Sequence, residues 1–297
     1  MNVEDINPQR PLANLDAVGF QATQLGRAVQ LIKRMKNEGA IIFLTFTANM
    51  VASGLRGLIA DMCRQKLVDV IITTGGSLDH DLIRTEKPYL LGDFNLDDAE
   101  LHKKGINRIG NILVPNDRYE FLEKKIQPIF EKLYSQKRTT SPSEIAAAIG
   151  RTVNDKNSFL YWCAKNGIPV FSPGITDSAI GLQVYFFKQK RKDFGIDVTA
   201  DMQQLASITL NAKKTGGIIL GGGISKHHAI GVNILRGGFD YAVYFTTSAE
   251  WDGSLSGART NEAVSWGKIS EKANHITVYG DVTITLPLTY SLLKQHF

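Results

Sequence analysis

The stretch EWDGSLSGARTNEAVSWGK, residues 250–268, gathers acids, bases, two tryptophans and three glycines within nineteen residues. It has neither helical nor strand periodicity. A long polar connection with embedded aromatics inside a compact domain is usually functional. The segment ends in Lys268, two residues after Trp266. An amine held against an apolar ring is easier to deprotonate, and a neutral amine is a nucleophile. The segment therefore predicts covalent lysine chemistry. A second cluster, His227–His228, is a poor metal-ligand pair, because neighbouring positions on a helix do not face one site. No metal site is expected.

These groups need a scaffold. Short apolar runs at 40–46, 68–74, 168–173, 216–222, 240–247 and 275–280 alternate with helical patterns. Near-continuous apolar character suits strands covered on both faces. Strand–helix alternation with short links predicts an α/β fold, a doubly wound, mostly parallel sheet with helices on both faces. Ser141, Ser143 and Ser158 stand where helix caps belong. Three strands run into Gly-, Ser- or Thr-rich turns followed by helices: TFTANMVASG, TTGGSLDHD and GGGISKHH. Such turns bring backbone amides to a phosphate, and ligands of open parallel sheets bind beyond the carboxyl ends of the strands. A nucleotide site is the expectation, although none of the turns is a GxGxxG fingerprint.

The 297 residues, 43% hydrophobic and 21% charged, allow one large α/β domain or two small ones, with a sizeable core. A single domain over 1–297 is expected, with 1–19 as an N-terminal extension. The net charge of +5 is mild and its basic residues are scattered. KQKRK has only Phe186 and Phe187 beside it, too little for a nucleic-acid face. Cys63 and Cys163 are far apart in sequence and read as small core residues in a reducing compartment. The N-terminus lacks an apolar signal core, and the apolar stretch 40–62 is interrupted by Asn49, Ser53 and Arg56, so no membrane span is expected. A cytoplasmic location follows.

SGLRGLIADM, VDVIITTGGSLDHDLI, RIGNILVPNDRYE, IPVFSPGITDSAIG, IILGGGISKHH, DYAVYFTTSAEWDGSLSGAR and NEAVSWGKI together resemble the deoxyhypusine synthase family, in order from Phe20 onward. The resemblance implies a Rossmann-like NAD-binding fold, a homotetramer, and NAD as a recycled hydride carrier. It implies a transferase that takes the aminobutyl portion of spermidine. The group passes through a lysine imine to an acceptor amine, by default a lysine of translation factor 5A (hypusine formation). Lys268 matches the nucleophile, His227 the base near the scissile amine, Trp266 the ring over the substrate and Glu262 the partner of an ammonium. For NAD it implies Asn49, Thr73, Gly75, Asp177, Gly221, Gly223, Thr247, Asp252, Ser256 and Asp281. Asp81 reads as a helix cap instead.

Two departures stand out. TDSAIGL puts Leu182, and DGSLSGAR puts Leu255, where the family has polyamine-binding aspartates. Ala48 and Ala52 replace hydroxyls, and His80 replaces an acid. A buried ammonium without a paired anion is costly. The substrate pocket is therefore expected to be altered: the NAD and lysine chemistry is kept and applied to a polyamine or a less charged amine. The alternatives are transfer to a small amine, as in homospermidine synthesis, and a non-catalytic NAD-binding regulatory protein.

Overall fold

The computed structural model describes residues 15–294. The six apolar runs become β1 (Ile41–Thr45), β2 (Val70–Ile72), β3 (Val170–Phe171), β4 (Thr215–Leu220), β5 (Phe239–Thr246) and β6 (Ile269–Tyr279). The main helices are α1 (Phe20–Asn37), α2 (Arg56–Arg64), α3 (Gly75–Ile83), α4 (Asp117–Gln136), α5 (Pro142–Thr152) and α6 (Phe159–Asn166). They continue with α7 (Ala179–Lys190), α8 (Val198–Asn211), α9 (Gly223–Val232), α10 (Thr260–Ser265) and α11 (Val282–Lys294). The chain packs as two compact units: 15–46, 68–70 and 204–294 form the first, 47–67 and 71–203 the second.

In the first unit, β1 pairs with β4, β4 with β5 and β5 with β6, all parallel. Tyr241 through Phe245 are consecutive and buried. Side chains alternate across a strand, so this run requires cover on both faces, as expected for a doubly wound sheet. Asp69 fixes the register before β2 starts: its N–H donates to the Ile42 carbonyl and its carboxylate accepts the Ile42 N–H.

In the second unit β2 and β3 pair in parallel. Three short strands, Leu90–Leu91, Ile112–Pro115 and Ile106–Ile109, form an antiparallel sheet that sequence periodicity did not reveal. Its residues are largely solvated, which hides the alternation. The helical pattern after β1 is broken by a π turn, Val51–Leu55, in which Gly54 takes φ +112°.

Ser141 and Ser158 are helix caps, and Ser141 forms a full capping box with Glu144. Ser143 is not; its hydroxyl and N–H both donate to the Asp201 carboxylate. Asp81 caps α6 as expected, accepting the Ser158 hydroxyl and the Leu160 N–H, and it also pairs with buried Arg56. Cys63 and Cys163, distant in sequence, are buried free thiols whose sulfurs lie 3.7 Å apart where α2 packs on α6.

Asp79 holds the first turn of α7 by accepting the Ala179 and Ile180 N–H groups at 2.8 and 2.9 Å. Burial raises its carboxyl from 3.8 to about 7. A raised folded-state pKa means the folded chain binds the proton more tightly. The associated stability is present below about pH 4 and is lost as pH rises through 7. Asp79→Asn should flatten that dependence, which is worth up to about 4 kcal/mol. Urea unfolding at pH 5 and pH 8 checks it; equal pH slopes in the two proteins contradict it.

Candidate active site

Segment 250–268 is not wholly irregular, as the sequence suggested. Glu250–Asp252 form a 3-10 turn and Thr260–Ser265 form α10. Six residues are too short a helix to give a periodic signal. The end of α10 explains the spelling SWGK. Trp266 is the C-cap, Gly267 follows with φ +66°, and Lys268 comes next. The Gly267 N–H donates to the Val264 carbonyl and the Lys268 N–H to that of Ala263. These two bonds are a Schellman stop, which favours glycine at the left-handed position. The Lys268 carbonyl then accepts the Phe239 N–H at 3.1 Å, and β6 begins at the next residue. Lys268 is thus held between a helix end and a strand start.

Its ammonium nitrogen lies 3.5 Å from His227 Nε2 and 5.0 Å from the Trp266 ring centroid. His227 comes from α9, Trp266 and Glu262 from α10 and its cap. All four line one cavity of about 230 Å³ in the first unit. Glu262 is its one carboxylate among the described residues; Leu255, Ile230 and Ala263 supply apolar wall. The sequence-predicted catalytic set is therefore brought together. The second histidine of the pair turns inward, and burial lowers its pKa. Among the described residues no group of His, Cys, Asp or Glu could hold a metal ion.

Two buried polar lining residues, Lys226 and Tyr244, were not singled out from sequence. Lys226 is buried, its ammonium 4.3 Å from the Tyr244 ring. Burial lowers its pKa to about 8, against the pull of Glu262. The Tyr244 hydroxyl is buried without a partner and its pKa is raised by burial. Lys226 sat in the quoted GGGISKHH; nothing in its type or spacing set it apart from surface lysines.

Each residue assigned to NAD by resemblance falls beyond the carboxyl end of a parallel strand or in the loop that follows. In the first unit these are Gly221 and Gly223 after β4, Thr247, Asp252 and Ser256 after β5, and Asp281 after β6. Gly221 and Gly223 take φ +78° and +71°. The Gly221 N–H donates to Phe245 and the Gly280 N–H to Thr246, which laces these turns together. A Cβ on Gly222 would lie 2.2 Å from the Ser256 hydroxyl oxygen, so the loop can close on the turn only over glycine. Gly223, Thr247, Asp252 and Asp281 are exposed. Asp252 accepts the Ser254 N–H, and one oxygen of Asp281 accepts both the N–H and the hydroxyl of Thr283. Exposed backbone at the start of α9 with carboxylates nearby fits a dinucleotide.

In the second unit Asn49 follows β1, Thr73 and Gly75 follow β2, and Asp177 follows β3. Thr73 is buried, its hydroxyl 2.6 Å from that of Ser77, so it supports the turn; Asn49 and Asp177 are exposed. His80 is buried 2.7 Å from the Tyr89 hydroxyl, and burial lowers its pKa to about 4. Of the two altered positions, Leu255 lines the cavity. Leu182 belongs to the second unit and is exposed on α7, in a row with exposed Tyr185 and Phe186.

Residues 12–293 match the family model for deoxyhypusine synthase. A Thermoplasma acidophilum protein named probable deoxyhypusine synthase is 47% identical over 271 residues, covering 91% of this chain and 87% of that protein. One of the same name from Pyrococcus furiosus is 46% identical over 296 residues, covering 94% and 88%. The fold resembles the solved structure of a candidate deoxyhypusine synthase from Entamoeba histolytica, with TM-score 0.71, 22% identity, and coverage of 99% of this chain and 95% of that one.

Proposed function

The chain belongs to the deoxyhypusine synthase family, whose members are transferases, and from that premise we propose that it is an NAD-dependent aminoalkyl transferase. It moves an aminobutyl-type group from an amine, through an imine on Lys268, to an acceptor amine. The observation that carries this reading is the Lys268–His227–Trp266–Glu262 cluster in one cavity.

NAD, which the turns bearing Gly221, Gly223, Asp252 and Asp281 would hold, would supply reversible hydride acceptance, leaving an electrophilic C=N carbon on the donor amine and reducing the transferred group's final C=N bond. The chain's residues do the rest. Glu262 pairs with the donor's ammonium and the Trp266 face lies beside it, a contact worth about 1–2 kcal/mol for a desolvated cation. Neutral Lys268 Nζ adds to the electrophilic carbon. His227, within reach of that nitrogen, passes a proton to the departing amine as the old C–N bond breaks. The acceptor amine adds to the Lys268 imine, and Nζ leaves with its electron pair.

By family default the acceptor is a lysine of a translation factor 5A-like protein and the assembly is a homotetramer. The donor is a polyamine or a less charged amine, because Leu255 gives the cavity an apolar wall and Glu262 is its one carboxylate among the described residues. An aspartate there should favour spermidine. A charge-assisted contact is worth about 1.5–3 kcal/mol, so Leu255→Asp should capture spermidine at roughly 10–100-fold lower concentration. Unchanged concentration dependence would count against an amine lying beside residue 255. Among the described residues no helix is long and apolar enough to cross a membrane.

The test is to incubate the protein with NAD and spermidine, putrescine, agmatine or simple monoamines, reduce with borohydride, and measure intact mass. A stable adduct supports the reading and its mass identifies the transferred group. NAD binding with no adduct from any amine opposes it.

A further inference from the structure

Lys226 presents a physical problem. Lysine is almost never fully buried unless paired. This one is 1% exposed. Its ammonium donates to the Leu255 carbonyl at 2.7 Å and to the Ala258 carbonyl at 2.8 Å, and has the Tyr244 ring beneath it. No carboxylate forms an ion pair with it among the described residues. For packing alone, an unbranched apolar side chain would serve as well or better, since a buried charge costs desolvation. Its bonds point to a different role. Both accepting carbonyls belong to the loop 254–258, whose Ser256 also packs against Gly222 and accepts the Thr246 hydroxyl at 2.9 Å. That loop carries Leu255 and Ala258 to the cavity and leads through Arg259 into α10, which bears Glu262.

We propose that Lys226 is a positioning residue, which fixes the loop 254–258 and so sets the apolar wall of the cavity and the start of the helix that carries Glu262. That the cavity takes an amine rests on the reading above; the hold of Lys226 on the loop does not.

The experiment compares Lys226→Met with Lys226→Gln in the full-length chain. Methionine keeps the packing and removes all donors; glutamine restores two N–H donors on a shorter stem. Hydrogen exchange is followed by peptide, with amine capture by borohydride measured against amine concentration. In Lys226→Met, exchange within 254–262 should rise about tenfold or more while β4 and β5 stay protected. Amine capture should need higher concentrations but approach the wild-type extent at saturation. Lys226→Gln should fall between the two. Unchanged exchange of 254–262 in Lys226→Met overturns the proposal. So does loss of protection throughout the unit in both variants, because Lys226 would then belong to the core rather than to the loop. A local rise in a protein whose wild type captures no amine supports the hold on the loop and removes the amine reading of the cavity.

Discussion

Replacing Lys268 by alanine is expected to abolish the borohydride-trapped amine adduct and to lower turnover by about 10³-fold or more, the scale of removing a covalent nucleophile. Glu262, Trp266 and His227 stay in place, so amine binding should weaken far less than chemistry. The other lysine at the cavity cannot take over, since its nitrogen is committed to two carbonyls. Intact mass after reduction reads the result, and peptide mapping locates any residual adduct. An adduct of wild-type mass and yield in the alanine variant would falsify the assignment of the nucleophile.

Arg56→Met is expected to have the largest effect on stability, about 3–5 kcal/mol, because removing one partner strands a buried charge. Arg56 Nη1 donates to Asp155 at 2.7 Å and Nη2 to the Asp81 carbonyl at 3.1 Å, while Nε pairs with the Asp81 carboxylate. Asp81 is fully buried; desolvation pushes its pKa up and Arg56 pulls it down. Urea unfolding at neutral pH measures the loss. Arg56→Met with Asp81→Asn should recover part of it, since the neutral amide removes the stranded charge and its oxygen still accepts the Leu160 N–H. A single variant within about 1 kcal/mol of wild type would mean that water reaches Asp81. The network matters to the site because Asp81 lies on α3, the helix that opens with Gly75.

β1 to β5 were legible because they are buried on both faces and read as apolar runs. β6 was legible only in its second half. Its first half, Ser270 to Asn274, is polar and largely exposed, so the start of the strand directly after Lys268 could not be read. The cluster around Lys268 was legible through SWGK, whose letters are a helix stop as well as a motif. Lys226, Tyr244 and the Cys63–Cys163 contact were not. All three depend on which helix packs on which strand or helix, and single residues carry no trace of that. Leu182 and Leu255 looked equivalent in sequence, yet Leu182 is exposed on a helix of the second unit while Leu255 lines the cavity of the first.

The Schellman stop at Gly267 has a consequence for reaction entropy. A free lysine side chain carries about 2 kcal/mol of rotamer entropy, and its backbone adds more when unconstrained. Here the backbone on either side of the amine is fixed by the helix end and by β6 before any ligand arrives, and the indole and imidazole narrow the space its stem can sweep. Much of the ordering that a bimolecular encounter would require is thus completed during folding. In the proposed reaction the cavity would present Lys268 to a bound carbon at an effective concentration far above that of any amine in solution.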